Sequence, residues 1–213
     1  MPQRPLVPSA IFVSGSGTNL QAVIDAVAAE RLPLDIKLVV SNSPDAYALE
    51  RARRAGIPVS VMAWDRPRES REAYATRLAE VVRAHGARLV LLLGWMHVLA
   101  PEFLESGLDG VLNLHPSYLP DDPAADTVTL PDGSVSQVFR GARALRDAIE
   151  ARVPVTGATF IEITPDVDRG AVLSRRTFGL LPEDDEQSAL ARLHAVEHDV
   201  VIEGILTWLQ RKV

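Results

Sequence analysis

The chain has no cysteine in its 213 residues, which excludes disulfides and thiolate-held metals. It has no apolar run long enough to span a bilayer. Its start carries Arg4, but the short apolar stretch behind it is broken by Pro8 and Ser9. That is no signal peptide, so a cytoplasmic protein without a membrane partner is expected. Positive charge is also in deficit, with 22 Lys and Arg against 28 Asp and Glu, a net charge of −6. This argues against a nucleic-acid surface and leaves the sign of a small substrate open, because local potential can oppose net charge. Repeats, linkers and low-complexity segments are absent. What remains is 47% hydrophobic and 23% charged, the balance of a globular domain large enough to bury a core. A single domain over residues 1–213 is expected.

Strand and helix patterns alternate along the chain. Leu6 to Val13 reads as a buried strand, and Leu20 to Val27 has helical spacing. Between them Ser14-Gly15-Ser16-Gly17-Thr18-Asn19 is either an ordinary strand-to-helix turn or an anion cradle. In a cradle, glycines let the backbone come close and a helix start offers free N–H groups. It is neither a Gly-x-Gly-x-x-Gly nor a Walker loop. Ile36 to Val40 is a second strand, Asp45 is expected to cap a helix through Ala55, and Ile57 to Met62 is a third strand. Ser70 opens a helix to Ala84. Leu89 to Leu93 is wholly apolar, as a central parallel strand should be. Gly94 to Leu99 then presents Trp95 and Met96, which either line a slot for a flat heterocycle or belong to the core. After a short helix from Pro101 to Glu105, a strand at Val111 to Leu114 runs into Asn113-Leu114-His115-Pro116-Ser117.

That stretch is the focus of the sequence. Residues i and i+2 of a strand share a face, so Asn113 and His115 point the same way. At the carboxyl end of a strand in an open α/β sheet, an amide beside an imidazole can do oxyanion and acid–base work. The alternative is a capping Asn and a satisfied, half-buried His.

Beyond it the pattern breaks. Residues 121–138 form an insert: an acidic irregular run, then Thr127–Leu130 and Val135–Val138 as a hairpin around Asp132-Gly133. It reads as either a lid or a surface excursion. Arg143 to Glu150 is helical, and Val155 to Ile163 pairs antiparallel with Ala171 to Phe178. The Asp166 and Asp168 carboxylates of the intervening turn either cap backbone N–H groups or orient a histidine. From Glu183 onward one amphipathic helix has apolar positions at Leu190, Leu193, Val200, Val201, Ile205, Trp208 and Leu209. The alternation argues a doubly wound, mostly parallel α/β sheet with helices on both faces and an antiparallel hairpin near the C-terminus.

In order along the chain, Ser14 to Gln21, Ser41-Asn42, Ala48 to Ala52, Gly94-Trp95-Met96, Asn113 to Ser117, Val155 to Thr159, Val167-Asp168-x-Gly170 and Glu197-His198 resemble the glycinamide ribonucleotide formyltransferase family. The resemblance implies a Rossmann-like formyltransferase fold. It also implies transfer of a formyl group from 10-formyltetrahydrofolate, a cosubstrate, to the amine of glycinamide ribonucleotide in purine synthesis. The implied catalytic trio is Asn113, His115 and Asp168. Gly17, Thr18, Asn19 and Glu197 would hold the ribonucleotide. Arg71, Met96, His97, Val98, Leu99, Thr164 and Asp166 would face the folate. No metal is implied, and the state is a monomer or homodimer. On this reading an ionised Asp168 would raise the pKa of His115 and keep it cationic.

The chain departs from the family in five places. The family runs from Leu-Pro straight into Phe-Pro-Gly-x-His, whereas here the insert intervenes and Phe139-Arg140-Gly141-Ala142-Arg143 follows. Arg140 takes the place of the proline and Arg143 that of the histidine. His97 stands where Arg is usual, and Arg169 where a small residue is usual. Three rival functions remain. A folate-deformylating hydrolase would use the same trio with water. A silent nucleotide- or folate-binding module would not need all three residues. A metal hydrolase using His97, His115 and Asp168 lacks any spacing such as His-Glu-x-x-His.

Overall fold

Continuous apolar runs make the central strands, as expected where a parallel strand is covered on both faces. The structure, a computed structural model, describes residues 5–212. The chain divides into two compact units, 1–112 and 113–213. In the first, β1 (Val7–Val13), β2 (Leu34–Ser41), β3 (Val59–Val61) and β4 (Leu89–Leu92) alternate with α1 (Thr18–Ala28), α2 (Tyr47–Arg54), α3 (Arg71–Ala84) and α4 (Pro101–Leu104). β1 pairs in parallel with β2 and with β4, and β2 with β3. Ala10 to Val13 and Leu89 to Leu91 are fully buried. Phe12 packs on Trp95 and Phe103 at centroid distances of 4.9 and 5.5 Å.

β5 (Gly110–His115) leads into the second unit, with the hairpin β6 (Thr127–Thr129) and β7 (Val135–Gln137), then α5 (Ala144–Glu150), β8 (Val155–Glu162), β9 (Ala171–Gly179) and α6 (Glu186–Arg211). β8 and β9 are antiparallel. The sheet is mixed and mostly parallel, seven strands in the order β3-β2-β1-β4-β5-β8-β9, with β6-β7 separate. The expected α/β class and C-terminal hairpin are therefore present. Among the described residues no helix is long and apolar enough to cross a membrane.

Some local expectations are corrected. Asp45 does not cap α2. The N-cap is Ala46 and makes no side-chain cap, while Ala48 N–H donates to the Gly15 carbonyl at 3.1 Å, so the neighbouring loop does the capping. The third strand is shorter than Ile57 to Met62, being held to Val59–Val61 behind Pro58, which has no N–H to pair. The last helix starts at Asp185, whose carboxylate takes Ser188 N–H in a capping box, rather than at Glu183. Leu190, expected to be apolar core, is 38% exposed, whereas Leu193, Val200, Val201, Ile205, Trp208 and Leu209 are buried. The insert has an anchor of its own: Val128, Leu130 and Val138 pack with Tyr118, Leu119 and Ile161.

Candidate active site

β5 delivers His115 to its end, and the β8–β9 turn delivers Asp168. Two local features shape that turn. Asp168 sits at φ +52°, a region that Asp tolerates better than most residues. A Cβ on Gly170 would lie 1.7 Å from the Glu162 carbonyl oxygen, so only glycine lets the turn fold back on β8. The outcome is a buried imidazole–carboxylate contact, with His115 Nδ1 3.3 Å from Asp168 Oδ2 and side-chain exposures of 3% and 8%. His115 Nε2 lies 2.9 Å from the Phe139 carbonyl oxygen. Asp168 Oδ2 accepts the Gly141 N–H at 2.7 Å. Just past Pro116, Thr159 Oγ1 donates to Ser117 O at 2.7 Å and accepts from Leu119 N–H at 2.9 Å, pinning the chain after the histidine. Asn113 is half-buried, two residues before His115 on the same strand.

The charge state differs from the expected one. Burial pulls the His115 imidazole below its ordinary pKa, and the Arg140 guanidinium adds to that. Asp168 and the Phe139 carbonyl oppose it but do not prevail. Resting His115 therefore leans towards neutral, because an uncompensated buried cation costs more than one carboxylate returns. Both neighbours of the ring are acceptors, so a neutral imidazole satisfies only one of them. A proton arriving on the ring satisfies the second.

In the first unit the Ser14 to Asn19 loop ends with Gly17 at φ +71° as the N-cap of α1, with no side-chain cap and no acid in the first turn. A Cβ on Gly17 would lie 2.6 Å from Ala48 Cβ. Arg51 Nε donates to Ser16 O at 2.9 Å, bracing the loop from α2. Thr18 and Asn19 form the first turn, at the helix end where the dipole favours an anion.

The same unit holds a slot of about 300 Å³ lined by Trp64, Arg66, Arg71, Met96, His97 and Val98. Arg71 clasps the Val98 carbonyl through Nε and Nη2 at 3.1 and 2.9 Å. Trp95 and Met96 divide between the two readings: Trp95 is buried on Phe12, while Met96 is 58% exposed. Trp64, Tyr74 and Trp95 surround the His97 ring edge-on at 5.7, 5.9 and 5.6 Å. Asn42 Nδ2 meets His97 Nε2 at 3.1 Å. Burial, helped by the nearby Arg66 charge, holds His97 below its ordinary pKa. Tyr74, pushed up to about 12 by burial, stays a donor to the Met62 carbonyl. Trp95 Nε1, Asn42 Oδ1 and His97 Nδ1 are buried and make no hydrogen bond among the described residues.

Of the remaining sequence candidates, Leu99 is half-buried beside Val98. Thr164 Oγ1 bonds to the Asp166 carbonyl on the exposed turn. Glu197 is buried on α6, 3.9 Å from His194. Among the described residues no group of three His, Asp or Glu side chains is placed to hold a metal ion. Sequence reasoning missed the contacts of Phe139, Arg140 and Gly141, and missed Trp64 and Arg66. An aromatic two residues before an arginine, ahead of a helix start, was the available signal for the latter pair.

The comparisons with known proteins bear on this site. Residues 8–205 match the family described as formyl transferase. Phosphoribosylglycinamide formyltransferase of Dictyostelium discoideum is 32% identical, over 92% of this chain and 94% of its own length. The chain belongs to the formyl transferase family. It also matches the trifunctional purine biosynthetic protein adenosine-3 of Drosophila melanogaster at 35% identity. There it covers 89% of this chain but spans only 13% of that protein. A crystal structure of glycinamide ribonucleotide transformylase 1 from Symbiobacterium toebii superposes with a TM-score of 0.81 at 34% identity, over 94% of this chain and 86% of that one. The buried His115–Asp168 pair and the glycine-rich helix start thus occur in a chain of the formyl transferase family.

Proposed function

We propose that this chain transfers the formyl group of 10-formyltetrahydrofolate to the amine of glycinamide ribonucleotide, a step of purine synthesis, without a metal. The two units would then act as one formyltransferase domain with residues 121–138 as an insert. The setting is the cytoplasm, and the substrates are small molecules bound by a monomer or homodimer. One observation carries the reading: an imidazole and a carboxylate are buried against each other at the end of the strand that bears Asn113.

Each residue has a task. Gly17, Thr18 and Asn19 offer backbone N–H groups to the ribonucleotide phosphate, and Glu197 takes the glycinamide amine. Arg71, Met96, His97, Val98 and Leu99, with Thr164 and Asp166, receive the folate. The slot's flat aromatic walls suit a heteroaromatic body, and its two arginines suit a carboxylate. The folate supplies the formyl carbon. The amine nitrogen bonds to that carbon, and Asn113 donates to the oxygen on which negative charge develops. His115, leaning neutral at rest, accepts the proton that the amine sheds, and Asp168 stabilises the imidazolium so formed. The same proton returns to the folate nitrogen as its bond to carbon breaks. Because both ring nitrogens have partners, the one that serves the substrate first gives up its contact.

Steady-state turnover of 10-formyltetrahydrofolate with and without glycinamide ribonucleotide tests this. Folate release that requires the ribonucleotide, with formylated product in step, is expected. Equal release without it would mean a hydrolase. No release in either case would mean a binding module.

A further inference from the structure

Three of the chain's departures from its family, the 121–138 insert, Arg140 and Arg169, meet at one place. Arg140 Nε donates to the Asp168 carbonyl at 3.4 Å. Its Nη2 donates to the insert carbonyls of Pro123 and Ala125 at 3.3 and 2.8 Å, and its Nη1 lies 3.6 Å from Asp126 Oδ1. Arg169, next to Asp168 in sequence, also donates to the Pro123 carbonyl. The backbone on either side of Arg140 grips the pair directly, through Phe139 O on His115 and Gly141 N–H on Asp168.

We infer that Arg140 and Arg169 are positioning residues that strap the insert onto the turn bearing Asp168, so that the insert holds the His115–Asp168 pair in its working geometry. The inference rests on the reading of that pair as catalytic. The chemistry favours arginine at position 140. Its planar fork serves several acceptors at once, which an ammonium cannot do with the same geometry. Its side chain is only 16% exposed, and burial together with the like charge of Arg169 depresses its pKa. Two guanidiniums crowded this way persist because Asp126, Asp168 and the insert carbonyls compensate them. Asp168, in a backbone conformation that few residues adopt, needs such over-determination to stay in place. The hydrophobic contacts of Val128, Leu130 and Val138 with Tyr118, Leu119 and Ile161 give the strap a fixed far end.

Two charged groups act on His115, Asp168 and Arg140, and those acting on Arg140 are Arg169, Asp126 and Asp168. Arg140 disfavours a proton on His115, so Arg140→Ala releases that pressure. The acid limb of the kcat profile should move to higher pH, and kcat should fall roughly ten-fold or more through misplacement, with the ribonucleotide KM little changed. Arg140→Lys keeps the charge and loses the fork, so its pH limb should stay while kcat falls. Arg169→Ala should lower kcat less. In all three variants, limited proteolysis should cut the insert near Asp121 to Ala125 faster than in the wild type. Folded variants with wild-type kcat and pH profile, or an insert as resistant to protease as before, would overturn the strap. If Arg140→Ala does not fold, Arg140→Lys and Arg169→Ala decide. Proteolysis and an NMR titration of His115 need no turnover. They therefore judge the strap even if the ribonucleotide assay on the wild type contradicts the proposed reaction.

Discussion

Asp168→Asn removes one charge and almost nothing else. Asn tolerates the φ of +52° found here as well as Asp does. Its amide oxygen can still accept the Gly141 N–H, so the turn keeps its shape. What disappears is the anion that meets His115 when the ring becomes cationic. At the observed 3.3 Å, a unit charge pair in an effective dielectric of about 20 is worth roughly 5 kcal/mol. Part of that is spent against burial and against Arg140, both of which disfavour the imidazolium. Losing an oriented acid–base pair of this kind costs roughly 10²–10⁴ in kcat, or about 3–5 kcal/mol. The sign for pH follows from the same balance. Asp168 favours the protonated ring, so without it the His115 pKa falls further and the acid limb of the rate profile moves to lower pH. That is the opposite of the shift expected for Arg140→Ala. The assay is kcat against pH at saturating substrates, with thermal melting to show that the fold is intact. A kcat within about three-fold of wild type and an unmoved limb would refute the assignment of the reaction proton to this pair.

Gly17→Ala places a methyl 2.6 Å from Ala48 Cβ at a positive φ; it should cost about 1–3 kcal/mol in urea unfolding and raise the ribonucleotide KM more than it lowers kcat. Arg71→Ala frees the Val98 carbonyl and should raise the folate KM while leaving the ribonucleotide KM near wild type, as separate titrations would show. His97, His115 and His194 all sit below their ordinary pKa of 6.5, chiefly through burial. Between the lowered folded values and 6.5 the unfolded chain binds more protons, so stability should decline as pH falls below about 6.5. Melting from pH 7.5 to 5.5 checks this, and replacing His97 by Gln should flatten the slope.

Features that depend on the residues beside them in sequence could be read directly. The apolar runs at Ala10 to Val13 and Leu89 to Leu92 needed only burial to become central strands. The Asp132-Gly133 pair closes the β6–β7 hairpin as its turn chemistry requires, with Gly133 at φ +86°. Ser70 caps α3 through the Ala73 N–H. The errors arose where a distant partner competed. Asp45 lost its role because the Gly15 carbonyl, 33 positions upstream of Ala48, already held the first turn of α2. Leu190 fits the helical period, yet it is 38% exposed, while the adjacent Ala189 takes the buried position at the start of α6.

The candidate site divides along the same line. Asn113 and His115 were legible because strand geometry alone puts them on one face. Asp168 was legible only as one of two turn carboxylates able to cap a turn or orient a histidine. The resemblance alone singled it out, since its 53-position separation from His115 carries no periodic signal. The charge on His115 was not legible at all. It depends on how burial, one carboxylate, one carbonyl and one guanidinium add up, and three of those four come from the far side of the insert or from the turn beyond it. The same reasoning changes the meaning of Arg140. Compared with a family pattern it is a missing proline, a loss. In three dimensions its backbone neighbours touch both members of the pair while its side chain reaches the insert. A proline there would make none of the guanidinium contacts, and a chain without the insert would leave Arg140 only the Asp168 carbonyl to hold. The insert and the substitution therefore depend on each other. Without the insert a half-buried guanidinium would lose most of its acceptors, and without Arg140 the insert would lose one of its clasps.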